Sequence, residues 1–261
     1  MRCKICNRKS ILFDQGKVLN KHNVNYYKCT SCGFIQTQKA FWLKEAYKSS
    51  INLSDTGIVA RNIQMAKVAS VCIYFICNKN GRYLDYAGGY GLLTRLMRDI
   101  GFDFYWCDPF SSNIFARGFE YIYGSKSNKA KFDLITAFEC FEHFENPLTD
   151  IAKILTTSTN VLFTTEVIPE PTPRIDKWWY YGLEHGQHLS FYTIKSLRIL
   201  AKTFNLNIYS HRNIHLLCKS SINDAVYRLL IKTTKLLYPI VTFKTKSRTV
   251  DDMNHLISTQ R

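Results

Sequence analysis

Acidic residues are scarce in this chain: 20 Asp and Glu stand against 35 Lys and Arg, for a formal charge of +15. Proline (6) and glycine (12) are also few among 261 residues, which excludes collagen-like and low-complexity chains. No long apolar run is present. The longest, Val68 to Cys77, covers 10 residues and contains Ser70, half of what a membrane-spanning helix needs. The opening Met-Arg-Cys-Lys-Ile-Cys holds no apolar segment of secretory type, so the expectation is a soluble, cytoplasmic chain. At 46% hydrophobic and 21% charged, it has the material for a sizeable core.

The positive charge is unevenly spread. Residues 1–50 hold 10 basic and 2 acidic residues, residues 51–219 hold 18 and 15, and residues 220–261 hold 7 and 3. Such ends can attract RNA, anionic lipid or a phosphorylated substrate, or form a merely solvated basic surface. No block of five or more like charges appears, and the central segment is nearly balanced, so nucleic acid is disfavoured as a partner.

Of nine cysteines, four form two C-x-x-C pairs, Cys3/Cys6 and Cys29/Cys32, separated by 22 residues. Each tight turn presents two thiolates to one side, and two such turns complete a closed four-sulfur shell. Gly33 suits the backbone such a knuckle needs, and Val24 to Lys28 reads as a strand entering the second one. A segment this small buries too little core, so structural zinc would supply its folding energy, about 10–16 kcal/mol of apparent binding. A redox-active pair would want a surrounding βαβ pattern, which is absent here. The other five cysteines fall singly in apolar surroundings.

From Gly57 to Cys77 apolar residues recur at helical spacing. A strand-like Arg82 to Tyr86 follows, then Ala87-Gly88-Gly89-Tyr90-Gly91, a helical Leu92 to Ile100 closed by Gly101, and an apolar run ending in Asp108-Pro109. Strand, glycine loop, helix and a strand ending in an acid make the first βαβ unit of a doubly wound α/β sheet. Asp108 lies 23 residues beyond Asp85, the spacing of an acid that receives ribose hydroxyls. The dinucleotide fingerprint fails, because Thr94 stands where its third glycine belongs. Asp85 before the loop would repel a pyrophosphate and attract a cationic amine. S-adenosylmethionine, with an adenosine, an α-amino group and a sulfonium, fits this pattern better than NAD. The candidate cofactor-binding residues are Asp85, Ala87, Gly88, Gly89, Gly91, Asp108 and Pro109.

Over residues 57–220 the sequence resembles the class I S-adenosylmethionine-dependent methyltransferases. Leu84 to Gly91 looks like the family's first motif, with Ala87 where glycine is usual. Phe132 to Glu139 resembles the fourth strand, Glu139-Cys-Phe-Glu142-His143-Phe-Glu-Asn-Pro147 the E-x-x-E-H-x-x-x-P segment of the small-molecule branch, and Val161 to Thr165 the fifth strand. The resemblance implies that Phe138 and Glu139 lie beside the methionine end of the cofactor. Cys29-x-x-Cys32-Gly33-x-x-Gln36 is similar to the element preceding the catalytic domain in sugar C-methyltransferases and their relatives. Their E-H-x-S-aromatic-aromatic segment matches Gln187-His188-Leu189-Ser190-Phe191-Tyr192, with Gln187 in place of the usual glutamate. The implied organisation is a zinc-binding module (1–45), a Rossmann-like methyltransferase domain (46–220) and a C-terminal helical extension (221–261).

Methyl transfer to a hydroxyl or carbon acid needs a base near neutral pKa, which points to histidine. His188, His185 and His143 are the candidates, each of which could instead be a packed or surface side chain. Trp178-Trp179-Tyr180-Tyr181 reads either as a substrate-facing wall or as core. Near the end, Ile222, Ala225, Val226, Leu229, Leu230, Thr233, Leu236 and Leu237 read as one apolar helix face opposed by Arg228, Lys232 and Lys235, with Pro239 stopping the helix. Such a face docks on its own domain or on a second subunit, making a homodimer, or lies peripherally on an anionic membrane. The leading expectation is a methyltransferase acting on a small-molecule or glycan acceptor such as a nucleotide-linked sugar. An RNA methyltransferase using the zinc module and basic ends, and a non-catalytic zinc-ribbon binding protein, are the alternatives.

Overall fold

The computed structural model describes residues 1–48, 51–52, 54–122 and 131–259. Its elements run β1 (Ser10–Val18), β2 (His22–Cys29), β3 (Ile35–Thr37), α1 (Leu43–Ala46), α2 (Ile58–Ile76), β4 (Arg82–Tyr86), α3 (Leu92–Ile100), β5 (Asp103–Cys107), β6 (Leu134–Ala137), α4 (Pro147–Leu155), β7 (Val161–Thr164), β8 (Ser190–Phe191), α5 (Ile194–Thr203), β9 (Asn207–His211), β10 (Ile214–Cys218), α6 (Asp224–Lys232), α7 (Thr234–Lys244) and α8 (Thr249–Thr259). One sheet has the order β5-β4-β6-β7-β10-β9 and a second the order β1-β2-β3-β8. Strand β4 pairs in parallel with β5 and β6, while β9 and β10 pair antiparallel. This mixed sheet, with helices between parallel strands, has the expected α/β character; the antiparallel edge is its departure from pure parallel winding. No helix among the described residues is long and apolar enough to cross a membrane.

Contacts divide the chain into two compact units. The first comprises Met1–Asn52, Glu139–Thr156 and Phe163–Ser221; the second comprises Leu53–Phe138, Thr157–Leu162 and Ile222–Arg261.

In the second unit, β4, α3 and β5 form the expected βαβ unit. Gly91 caps α3 with a positive φ of 84°, and the Gly101 amide closes it on the Met97 and Arg98 carbonyls. The inner face of α3 buries Leu93, Met97 and Ile100 beside the polar Thr94 and Arg98. Arg98 is satisfied by a residue of the last helix: its Nη2 and Nε meet the two carboxylate oxygens of Asp252 at 2.6 and 2.8 Å, and Nη1 reaches Asp103 at 2.9 Å. A bidentate pair of this kind fixes position as well as charge, so α8 is tied to α3.

The C-terminal helix differs from its expectation in two ways. It is broken at Thr233–Thr234, whose hydroxyls bond back to the Leu229 and Ile231 carbonyls at 2.8 and 2.9 Å, rather than at Pro239, which lies inside α7. There proline, sixth of eleven residues, forgoes one backbone hydrogen bond without ending the helix. The buried face is also different: Tyr227, Ile231, Thr234 and Val241 turn inward, while Val226, Leu229 and Leu236 of the expected face are exposed. The inward residues keep one helical spacing from Tyr227 to Val241, so the expectation erred in the choice of face already in α6, where Val226 and Leu229 are exposed and Tyr227 and Ile231 buried.

In the first unit, β3 pairs antiparallel with both β2 and β8. Val18, Val24, Tyr26, Ile35 and Trp42 share one core with Ile168, Ile175, Tyr180, Tyr181, Leu189 and Phe191. The Trp42 indole N–H donates to the Gly186 carbonyl at 2.8 Å, satisfying the polar end of a buried aromatic.

Candidate active site

The four cysteines come together as their spacing required. Sulfur separations are 3.6 Å for Cys3–Cys32, 3.4 Å for Cys6–Cys29 and 3.6 Å for Cys6–Cys32. Four thiolates about 2.3 Å from a tetrahedral zinc stand roughly 3.7 Å apart, so the set fits such an ion closely. The Ile5 amide donates to Cys3 sulfur at 3.4 Å, and the Ser31 and Cys32 amides donate to Cys29 sulfur at 3.4 and 3.5 Å. The hydrogen bond from the Cys32 thiol lowers the Cys3 pKa to about 5. Gly33 has a φ of 74°, the left-handed turn anticipated for it. Gln36, fully buried, clamps the knuckle: its Oε1 accepts the Lys4 amide at 2.8 Å and its Nε2 donates to the Arg2 carbonyl at 2.9 Å. That is a physical reason for a glutamine four residues after the second pair.

The glycine loop holds two carboxylates of different character. Asp85, 3% exposed, accepts hydrogen bonds from Thr136 at 3.0 Å and Thr94 at 3.2 Å. Burial, with the Asp108 charge, nevertheless raises its pKa to about 7. Threonine at position 94 is therefore the hydroxyl that steadies Asp85. Asp108 accepts the Gly89 amide at 2.9 Å on Oδ2 and the Phe110 and Ser111 amides at 2.7 and 3.0 Å on Oδ1. Three of its four lone-pair positions are thus occupied by backbone, which leaves one open to a further donor. A Cβ at Gly88 would stand 2.6 Å from Asp85 Oδ2 and 2.8 Å from Trp106, so only glycine fits there. Ala87 adopts φ 56°, the left-handed region that favours glycine, and Glu139 adopts φ 49°. Strain of this sort persists only where the surroundings impose it, and it concentrates at functional sites. Pro109 follows Asp108 directly, whereas Phe138 and Glu139 fall on either side of the division between the two units.

The three candidate histidines gather in the first unit. The His143 and His188 rings are 4.9 Å apart and those of His185 and His188 4.6 Å, both edge to face. His188 Nδ1 lies 2.6 Å from the Tyr180 carbonyl. A carbonyl only accepts, so that nitrogen carries the proton and Nε2 keeps its lone pair, the tautomer a base requires. His143 Nδ1 meets the Tyr47 hydroxyl at 2.9 Å, and His185 Nδ1 accepts the Gln187 amide at 3.1 Å. Gly182, with φ 59°, makes room for His185: a Cβ there would stand 2.3 Å from the ring. Burial lowers the His143 pKa to about 3 and holds His188 well below its ordinary range, with neighbouring imidazoles adding to both.

Beside them stands Glu142, missed as a functional candidate although it precedes His143 in the E-x-x-E-H segment. It is fully buried, and neither carboxylate oxygen has a hydrogen-bond partner. Burial, then the charge of Glu139, raises its pKa well above the ordinary value, while the nearby Tyr180 and Thr165 hydroxyls, bonded to each other at 3.1 Å, act in the lowering direction. One donor atom from each of Glu142, His143 and His188 lies within 4.8 Å of the others, a set able to relay a proton or hold a divalent cation. Gln187 instead commits its amide to the Ala46 carbonyl at 3.0 Å. The carboxyl beside His188 thus comes from Glu142, far away in sequence. The aromatic run resolves as mostly core: Tyr180 and Tyr181 are buried, and Trp179 alone among the four is fully exposed, at 72%.

A methyltransferase-domain family model matches residues 60–211, more than half of the chain. The chain belongs to that methyltransferase family. Among solved structures this methyltransferase is similar to the plantazolicin methyltransferase BpumL in complex with SAH, at 12% identity and TM-score 0.48, over 77% of this chain and 90% of that one. It is also similar to magnesium protoporphyrin IX methyltransferase from Synechocystis PCC 6803 with bound SAM, at 13% identity and TM-score 0.38, over 68% and 90%. No curated protein matches it.

Proposed function

We propose that this methyltransferase takes its methyl group from S-adenosylmethionine and passes it, with histidine assistance, to a hydroxyl or carbon acid of a small-molecule or glycan acceptor. The observation that carries the reading is the loop between two acids: Asp85 buried at the end of β4 and Asp108 anchored to the Gly89 amide. Asp85 would meet the cationic amino group and Asp108 a ribose hydroxyl, while Ala87, Gly88, Gly89, Gly91 and Pro109 shape the cradle. Phe138, in the same unit as the loop, would border the methionine end. When bound, the cofactor supplies an electrophilic methyl on a sulfonium.

The chain's own work is to orient the acceptor and take up its proton. Positioning reactants in line is worth roughly 7–11 kcal/mol of barrier. His188 Nε2 is the base, kept unprotonated at neutral pH by its burial. His143 and His185 border it, and protonated Glu142 can exchange protons with them. Trp179 offers an exposed aromatic face to a sugar or planar ring. Cys3, Cys6, Cys29 and Cys32 would hold a structural zinc, with no open coordination position for chemistry.

Calorimetry with S-adenosylmethionine on the wild type and Asp108→Ala tests the cofactor assignment. Loss of the hydroxyl contact should weaken binding roughly 10- to 150-fold. Unchanged affinity in a folded variant removes Asp108 from the site. Mass spectrometry of nucleotide-linked sugars incubated with protein and cofactor, read for the gain of one methyl, then tests the acceptor class.

A further inference from the structure

The outward face of the C-terminal helices is apolar, basic and uncovered. The inward side of α6 and α7 is settled by Tyr227, Ile231, Thr234 and Val241, and α7 packs on α2. On the opposite side of α7, Leu236, Ile240 and Phe243 recur at i, i+4 and i+7 and are 74%, 49% and 83% exposed. Val226 and Leu229 continue the exposed apolar surface on α6. Large apolar side chains held in water at this spacing mark a surface with an occupant.

Charge selects the occupant. Through α6 and α7 there are four basic residues, Arg228, Lys232, Lys235 and Lys244, and one acid, Asp224, which is already paired with Arg228 at 2.7 Å. By helical phase Lys235 and Lys244 fall on either flank of the Leu236–Ile240–Phe243 stripe. A second copy docked face to face would set these cations against themselves, since a twofold interface presents the same patch from both sides. An anionic bilayer surface instead accepts the stripe among its acyl chains and the flanking ammonium groups among its headgroups.

We propose that the outward face of α6–α7 binds this protein peripherally to anionic membrane, with Leu236, Ile240 and Phe243 inserted and the flanking lysines at headgroup level. This reading is independent of the methyl-transfer assignment and uses none of its residues.

Vesicle co-sedimentation of the full chain tests it, with phosphatidylcholine alone and with about 30% phosphatidylserine, at about 0.1 M and 0.5 M salt. Partitioning should be at least ~10-fold stronger into the anionic vesicles and should weaken with salt. The double variant Leu236→Glu/Phe243→Glu should lose it by a similar factor while melting at the wild-type temperature, because both side chains are already in water. Lys235→Glu/Lys244→Glu should bind both vesicle types equally poorly. Equal binding of wild type to neutral and anionic vesicles overturns the proposal, as does retained binding by the first variant. So does a wild-type dimer in light scattering that the first variant splits, without vesicle binding, for then the face joins two copies.

Discussion

Two buried carboxyl groups, one in each unit, are both raised in pKa by burial but differ in the donors they receive. Asp85 receives two threonine hydroxyls and sits in a loop whose every turn is shaped for close approach. Glu142 is buried as deeply, receives none, and faces imidazoles that burial also holds neutral. A carboxylate supported by donors is prepared to stay ionised opposite a cation. A carboxyl without donors is prepared to stay protonated and to exchange its proton with a neighbour. On the proposed function the glycine loop binds and the histidine cluster transfers a proton, and each can be perturbed with a different readout.

The harshest perturbation is Cys29→Ser, which opens the sulfur shell in the unit that also holds the histidines. A structural zinc site of this kind contributes on the order of 10 kcal/mol, so turnover should fall below detection, with zinc content dropping from near one per chain. Cofactor affinity, which depends on the loop of the other unit, should stay within about threefold. Parallel loss of binding and turnover in calorimetry and assay would break the division of labour.

His188→Ala should lower turnover by roughly 10²–10⁴ at unchanged cofactor affinity. Because burial depresses the His188 pKa, the acid limb of wild-type turnover at saturating cofactor should lie below the ordinary 6.5, and the variant should lack it. A variant with wild-type rate and profile would transfer the role to His143 or His185.

Acidification probes the loop instead. With its pKa raised to about 7, Asp85 is ionised above that pH and neutral below it. Affinity for the cationic cofactor should therefore fall about tenfold per pH unit below 7, with proton release on binding seen as buffer-dependent calorimetric heat. The sign for folding is opposite: a raised carboxyl pKa favours the folded state at low pH, and that contribution is lost as pH rises through 7. Affinity flat from pH 8 to pH 5 would remove Asp85 from contact with the amino group.

The smallest expected change comes from Ala87→Gly. Releasing a left-handed alanine should gain about 1 kcal/mol, or roughly 2–4 °C in melting temperature, without altering turnover. A lower melting temperature would show that Ala87 is not strained.

The glycine loop was readable because its parts are neighbours in the chain: strand, loop, helix and second acid fall between Arg82 and Asp108. The knuckles were readable because two turns of fixed spacing admit few other uses. The histidine cluster was only half readable. His143, His185 and His188 stand out as residue types near motif-like segments, and Glu142 adjoins His143, yet nothing in the sequence brings Glu142 to His188, joins Tyr47 to His143 or commits Gln187 to the Ala46 carbonyl. The C-terminal helix was misread because two faces of it carry apolar residues, and only packing decided that Tyr227 and Ile231 turn inward and Val226 and Leu229 outward.

What the sequence determined by itself was whatever short range can impose. Alternation and helical spacing drew β4, α3 and β5; glycines allowed the left-handed turns; paired cysteines defined a closed sulfur shell. Tertiary structure decided the protonation states and the partners. It buried Asp85 and Glu142 and packed His143 and His188 among neighbours, and so moved their pKa values by excluding water from groups whose identity alone predicts ordinary titration. It joined β3 to β8 and Asp252 to Arg98 across most of the chain's length. Desolvation and long-range pairing depend on what lies nearby in space, and a linear pattern records only what lies nearby in sequence.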